Sequence, residues 1–264
     1  PEDWEVKSIG EVLSICNGMD YKHLNRGNYP VYGTGGLIAR VDDFLFEGES
    51  VCIGRKGTID TPIYLNEKFW TVDTLFYSIN FVGVIPKFIY YIFNTIDWLS
   101  LNEASGVPSL SKDNIKLQLI QIPNLSEQQA IADALTKVDN LIMSLSKVIE
   151  KKKLIKKGAM QKLLSGEMRL DGFEGEWIKI KLGDISSIKT GSRNVEEHSA
   201  NGKYPFFVRS KEVMKINTFS YDEEAILVPG EGGIGEIFHY VNGKFDVHQR
   251  VYKISDFNNI TLIE

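Results

Sequence analysis

Thiols are scarce in this chain: its 264 residues hold two cysteines, Cys16 and Cys52, each inside an apolar run and neither in a C-x-x-C pair. That excludes a disulfide framework. The four histidines, His23, His198, His239 and His248, lack ligand spacing, so no metal site is expected. Two buried free thiols suit a reducing compartment. No apolar run reaches the length that a bilayer requires, and the opening PEDWEVKSIG has no signal-peptide core. The expectation is a soluble, cytoplasmic chain with no membrane partner. An excess of positive charge is missing too: 30 Lys and Arg stand against 35 Asp and Glu, for a net −5. A general polycation is excluded, but a local basic surface is not, because nucleic-acid binding depends on where the charges face. Catalytic signatures are also lacking. There is no Asn-Pro-Pro-Tyr motif, no Walker A, and no Ser/His/Asp trio at a nucleophile elbow.

What is present is a repeat, offset by about 175 residues. WEVKSIGEVLSICNG (Trp4 to Gly18) matches WIKIKLGDISSIKTG (Trp177 to Gly191), and NYPVYGT matches KYPFFVR. ESVCIGRKGTI lies on EAILVPGEGGI, and WTVDTLFYSI on FDVHQRVYKI, which sets His248 over Asp73. Within each copy the alternation is strand-like and broken by Gly, Pro and Asn. KFIYYIFNTID (Lys87 to Asp97) has helical spacing, so the copies are mixed α/β.

Between the copies, Ser126 to Ser165 contains no proline and a single glycine, Gly158. Ile131, Leu135, Val138, Ile142, Leu145 and Ile149 recur in steps of four and three, the seam of a coiled coil. Ser126 with Gln129 predicts a capping box, and Gly166 a C-terminal stop. At 1.5 Å per residue the helix would be roughly 60 Å long, and its seam calls for a partner. The run KVIEKKKLIKKGAMQK at its far end is expected to be a solvated face, a protein contact or a contact to DNA phosphates. The expected organisation is a first domain at 1–124, a spacer helix at 125–166, a linker at 167–176 and a second domain at 177–264.

Two glycine turns imitate phosphate cradles. GEGGIG, with Gly230, Gly232 and Gly235, fits G-x-G-x-x-G, but a dinucleotide site needs a helix after the turn. Here EIFHYVNGKFDV follows, and its alternation with an Asn-Gly pair predicts a hairpin. In GRKGT the lysine precedes the glycine, which is the wrong order for a Walker motif. The two turns occupy the same place in the repeat and carry different tips, Arg55-Lys56 against Gly230-Glu231. That suits a duplicated scaffold recognising two different things.

YPVYGTGG, GRKGTI, SGVPSLSKDNI, IPNLSEQQAIADALTKVD and KKKLIKKGAMQKLLSGEMRLDGF together resemble the specificity (S) subunits of type I restriction–modification systems, over essentially the whole chain. The resemblance implies an α/β (α+β) fold: two duplicated target-recognition domains separated by a long coiled-coil-forming helix. It implies that each domain reads half of a split double-stranded DNA target. Conserved helices hold the domains apart and dock methylase (M) subunits, with restriction (R) subunits completing the complex. The S subunit itself performs no chemistry and carries no cofactor; S-adenosylmethionine, ATP and Mg belong to partner subunits. By comparison with the family, the second copy is expected to be truncated, without the second long helix that packs antiparallel on the first. A homodimer through the helix would then bury the seam.

A recognition domain places basic and polar side chains along a groove, some on phosphates and a few on bases. Loop position and residue type select Lys22, Tyr32, Thr34, Arg55, Lys56 and Thr58 in the first domain. In the second they select Arg193, Phe207, Arg209, Ser210, Lys211 and Glu231. Arg55 suits a guanine, and Glu231 a cytosine amino group. Two other classes stay open at this point: a nucleotide-binding enzyme built on GEGGIG, and a coiled-coil adaptor with no DNA role.

Overall fold

The computed structural model describes residues 3–257. The chain divides between Met160 and Gln161 into two compact units. Unit 1 runs β1 (Glu5–Ser8), α1 (Ile9–Val12), β2 (Ser14–Asn17), β3 (Arg26–Gly33), β4 (Gly36–Val41), β5 (Phe46–Gly54), β6 (Ile63–Thr71) and β7 (Leu75–Ile79). It continues through α2 (Pro86–Phe93), a 3-10 turn (Trp98–Leu101), α3 (Lys112–Leu117) and β8 (Leu119–Ile122) into α4 (Leu125–Ser165). Six strands form one sheet in the order β2-β7-β5-β6-β3-β4, while β1 pairs separately with β8. All neighbours are antiparallel except β3 and β6.

The apolar run VCIG in β5 is buried on both faces, which is why it does not alternate with polar residues. Val51 and Ile53 pack with Phe88, Ile89 and Phe93 of α2, and with Ile115 of α3. Cys52 points the other way, against Leu65, Phe69 and Leu75. Burial pushes its thiol up to about 12, so it is an inert apolar group.

Unit 2 contains α5 (Leu182–Ile185), β9 (Ser187–Thr190), β10 (Tyr204–Phe207), β11 (Met214–Ile216), β12 (Tyr221–Pro229), β13 (His239–Val247) and β14 (Val251–Ser255). Its sheet order is β9-β14-β12-β13-β10-β11, the same topology as in unit 1, again with one parallel pair, β10 and β13. One face is a closed core of Leu227, Phe245, Val247 and Val251. On the other face Ile188 and Tyr252 are exposed. Their unit 1 counterparts, Ile15 and Phe76, are buried in the cluster to which α2, α3 and β8 contribute.

The strand ladders correct the sequence alignment by one residue. Gly54 pairs with Leu75 in unit 1, whereas Pro229 pairs with Val251 in unit 2. The loop before β13 is therefore one residue longer than its counterpart before β6. His248 takes the place of Val72, each donating its N–H to the third strand, at Phe207 O and Tyr32 O respectively. Arg250 takes the place of Thr74: each carbonyl accepts from the glycine turn, Thr74 O from Arg55 N and Arg250 O from Gly230 N.

Asn242-Gly243 is not a turn. It lies inside β13, where Gly243 pairs with Glu223 at a φ of 112°. Seven residue pairs of ladder with β12 override the local Asn-Gly preference. The hairpin bend is the GEGGIG loop itself, between two antiparallel strands and without a helix to receive a phosphate.

Helix α4 begins two residues earlier than the Ser126 cap implies. Asn124 Oδ1 accepts from Glu127 N at 3.0 Å, which makes Asn124 the cap. At the far end Gly166 takes φ 76°, the left-handed stop that its sequence position suggests. The first turns pack on unit 1 through buried Gln128 and Ala132 and half-buried Ile131. From Leu135 onward the seam is open: Leu135, Val138, Ile142, Leu145 and Ile149 are 40–57% exposed. No helix is long and apolar enough to cross a membrane among the described residues.

Candidate nucleic-acid interface

In unit 1 the GRKGT turn closes β5. A Cβ on Gly54 would sit 1.9 Å from Thr58 O, so only glycine lets the chain double back there. Gly57 takes φ 98°, and Thr34 Oγ1 lies 3.4 Å from where its Cβ would be, which brings the TGG turn alongside. The turn is tied down on both sides. Arg55 N donates to Thr74 O at 2.7 Å, Gly57 N to Pro108 O at 2.9 Å, and Leu110 N to Arg55 O at 2.9 Å. A concave surface results, bordered by Arg55, Lys56, Asp73, Thr74 and Ser109. The Arg55 and Lys56 side chains are exposed, with Arg55 Nη1 donating to Asp73 O at 3.4 Å. Thr58 and Lys22 are also exposed, Lys22 on the loop between β2 and β3.

The corresponding surface of unit 2 is bordered by Asn194, Arg209, His248, Gln249 and Arg250. Both Arg209 and Arg250 donate to one oxygen of Glu231, Oε1. Their hydrogen bonds, Arg250's the stronger influence, hold the Glu231 carboxyl below its usual range. His248 is nearly buried, and its Nδ1 accepts from Arg250 N at 3.0 Å. Burial first, then the two arginines, lower its pKa, so the ring is neutral at pH 7. Gln249 Nε2 donates to Asn194 Oδ1 at 2.7 Å. Exposed Lys211 and half-buried Ser210 follow Arg209, and Ser210 Oγ donates to Glu212 O at 2.8 Å.

Three expected contact residues are engaged inside the fold instead. Phe207 is buried in the core with Phe245 and Val247, because the inward positions of β10 fill the same layer as Leu227. Tyr32, its counterpart, packs on the Cys52 cluster and donates its hydroxyl to Glu67 at 2.7 Å. Burial and that carboxylate push the Tyr32 phenol up to about 12. Arg193 spends its guanidinium on fully buried Asp246 at 3.0 Å, on Glu197 at 3.0 Å and on Thr218 at 3.3 Å. In their place the structure adds Asp73, Thr74, Ser109, Gln249 and Arg250 to the two surfaces. Repeat alignment without the extra loop residue lays Arg250 on buried Leu75, which hides its place beside the turn.

Known proteins resemble this chain in sequence and in fold. The model of the type I restriction modification DNA specificity domain matches residues 1–156 and 174–263. The MjaVIII type I restriction enzyme specificity subunit of Methanocaldococcus jannaschii is 30% identical over 232 residues, covering 72% of this chain and 51% of that protein. The MjaIX specificity subunit of the same organism is 25% identical over 265 residues, covering 81% of this chain and 59% of that protein. The chain thus spans about half the length of these curated relatives. Among solved structures, a type I restriction–modification S subunit from M. genitalium aligns with a TM-score of 0.62 at 18% identity. That alignment covers 97% of this chain and 73% of the other. A chain from work on complex assembly and conformational transition of the type I R-M system aligns with a TM-score of 0.58 at 12% identity, covering 98% and 77%. At these identities the two structures speak for the fold alone.

Proposed function

The chain belongs to the type I restriction modification DNA specificity family, and from that premise we propose that it selects the DNA target of a modification and restriction complex, each unit contacting one half of a split site. One observation carries this reading. The same six-stranded platform occurs twice, and at the end of β5 and of β12 the two copies present differently charged tips around equivalent backbone turns. A common platform keeps the docking geometry, while exchanged tips change what is read. Lys56 suits a phosphate, fixing register, and Arg55 a guanine edge, supplying sequence. Thr34 and Thr58 border the first tip, and Arg209 and Ser210 the second; exposed Lys22 and Lys211 are further candidates for phosphate contacts.

The chain performs no chemistry in this reading. Methyl transfer from S-adenosylmethionine and ATP- and Mg-dependent cleavage fall to methylase and restriction subunits, working with it in the cytoplasm. The open stripe of α4 takes a second helix, and in the isolated chain we assign it to α4 of another copy. Fully burying a Leu or Ile is worth roughly 1.5–3 kcal/mol. The five stripe residues are already about half covered, so a pair of helices gains on the order of 10 kcal/mol. Association costs roughly 4–15 kcal/mol, so the net drive is at most about 6 kcal/mol and the dimer is a weak one, forming at tens to hundreds of micromolar.

The experiment is a domain exchange. The chain is co-produced with the methyltransferase subunit it co-purifies with, residues 1–124 are replaced by those of another such subunit, and the methylome is sequenced. One half of the target changes and the other half persists. A change in both halves, or in neither, rejects the modular reading.

A further inference from the structure

The two units differ at three equivalent positions around one turn. Where unit 1 has Thr34, Lys56 and Thr74, unit 2 has Arg209, Glu231 and Arg250. In unit 2 the two guanidinium groups close on a single carboxylate oxygen, Arg250 Nη1 at 2.5 Å. All three side chains stay open to solvent, at 42%, 46% and 56% exposure for Arg209, Glu231 and Arg250. Exposed ion pairs contribute little to stability and restrain long side chains, so fold stability does not account for this cluster. Two arginine forks on one oxyanion are also the arrangement with which arginine holds phosphate.

The carboxylate is carried by a turn built to change course. Gly232, Gly233 and Gly235 take φ of 63°, 79° and 78°, and Gly230 N donates to Arg250 O at 2.9 Å.

We propose that Arg209 and Arg250 form a phosphate-binding site in unit 2, which Glu231 fills in the unbound chain and which a DNA backbone phosphate takes over by displacing the carboxylate. This rests on the DNA-binding reading for its ligand but not for the existence of the anion site. One anion replaces another, so the arginines are never left uncompensated. The exchange sets a threshold that a stray polyanion must overcome, and it leaves Glu231 a competitor of phosphate rather than a reader of cytosine.

The test uses the full chain with two probes, inorganic phosphate in thermal unfolding and a short DNA duplex in a salt titration. Glu231→Gln is expected to bind duplex about two- to fivefold more tightly, the equivalent of one exposed ion pair. Its log K against log salt slope steepens by about one. Phosphate raises the Tm of Glu231→Gln more than that of the wild type, and adding Arg250→Ala cancels both gains. Asp222→Asn, which removes an equal charge at the exposed start of β12, the end away from the turn, leaves both readouts near wild type. Weaker duplex binding by Glu231→Gln, or an equal gain from Asp222→Asn, overturns the proposal. So does a phosphate response that matches the wild type. If phosphate separates the variants while no variant binds duplex at any salt, the anion site stands and the DNA reading falls.

Discussion

Removing the amide of Gln128 is expected to loosen the first unit at the root of the long helix. Gln128 is fully buried in α4, and its amide bonds only to backbone. Oε1 accepts from Ile85 N at 2.9 Å, while Nε2 donates to Pro123 O at 2.9 Å and to Gly83 O at 3.1 Å. Gln128→Leu keeps roughly the same volume and strips all three partners. Gly83 is exposed, so water takes over its carbonyl at little cost. Pro123 is buried and Ile85 half-buried. Each polar group left unsatisfied in such a place costs about 1–3 kcal/mol, which for the two gives a loss of about 2–6 kcal/mol. Gln128→Glu costs more, because a carboxylate would face the Pro123 and Gly83 carbonyl oxygens. Trp70 and Trp98 are buried within unit 1, so tryptophan fluorescence in a urea titration follows that unit. With m of about 1–3 kcal/mol/M, the midpoint should fall by about 1 M or more. An unchanged midpoint in Gln128→Leu, or a smaller loss in Gln128→Glu, would refute the reasoning, for it would mean that the amide does not hold α4 to the loop before α2.

Two further outcomes are expected. Arg55→Ala and Lys56→Ala each weaken duplex binding by the assembled complex: loss of a phosphate contact flattens the salt slope by about one, and loss of a base contact costs roughly 1–3 kcal/mol and relaxes one target position. Unchanged affinity and methylation sites in both variants would move the binding surface elsewhere. Leu135→Lys with Leu145→Lys places two charges on the open stripe of α4 and should leave the chain monomeric. Sedimentation at several concentrations checks this, and a wild type that stays monomeric at about 500 micromolar removes the helix-pairing proposal.

The sequence by itself determined the duplication, the mixed α/β character and the long helix. Each rests on a pattern that tertiary contacts merely confirm: Trp, Gly and apolar positions in step between copies, strand-like runs around Val51 and Leu227, and a helical stripe across Ile131–Ile149 closed by Gly166. The GEGGIG turn was also legible as something other than a nucleotide site, because the residues after it alternate as a strand does. What only the tertiary structure decided depended on register and on facing. One extra residue in the loop before β13 shifts every later equivalence, and a loop insertion leaves no periodic trace, so Arg250 came to light only through its backbone bond with Gly230. Burial is likewise a property of layers rather than of letters: Tyr32 and Phe207 sit among loop-flanking residues yet point into a core, and Arg193 answers a buried Asp246 far along the chain. The pairing of Glu231 with Arg209 and Arg250 joins three separate turns, and no local pattern foretells a contact that exists only once the sheet has brought those turns together.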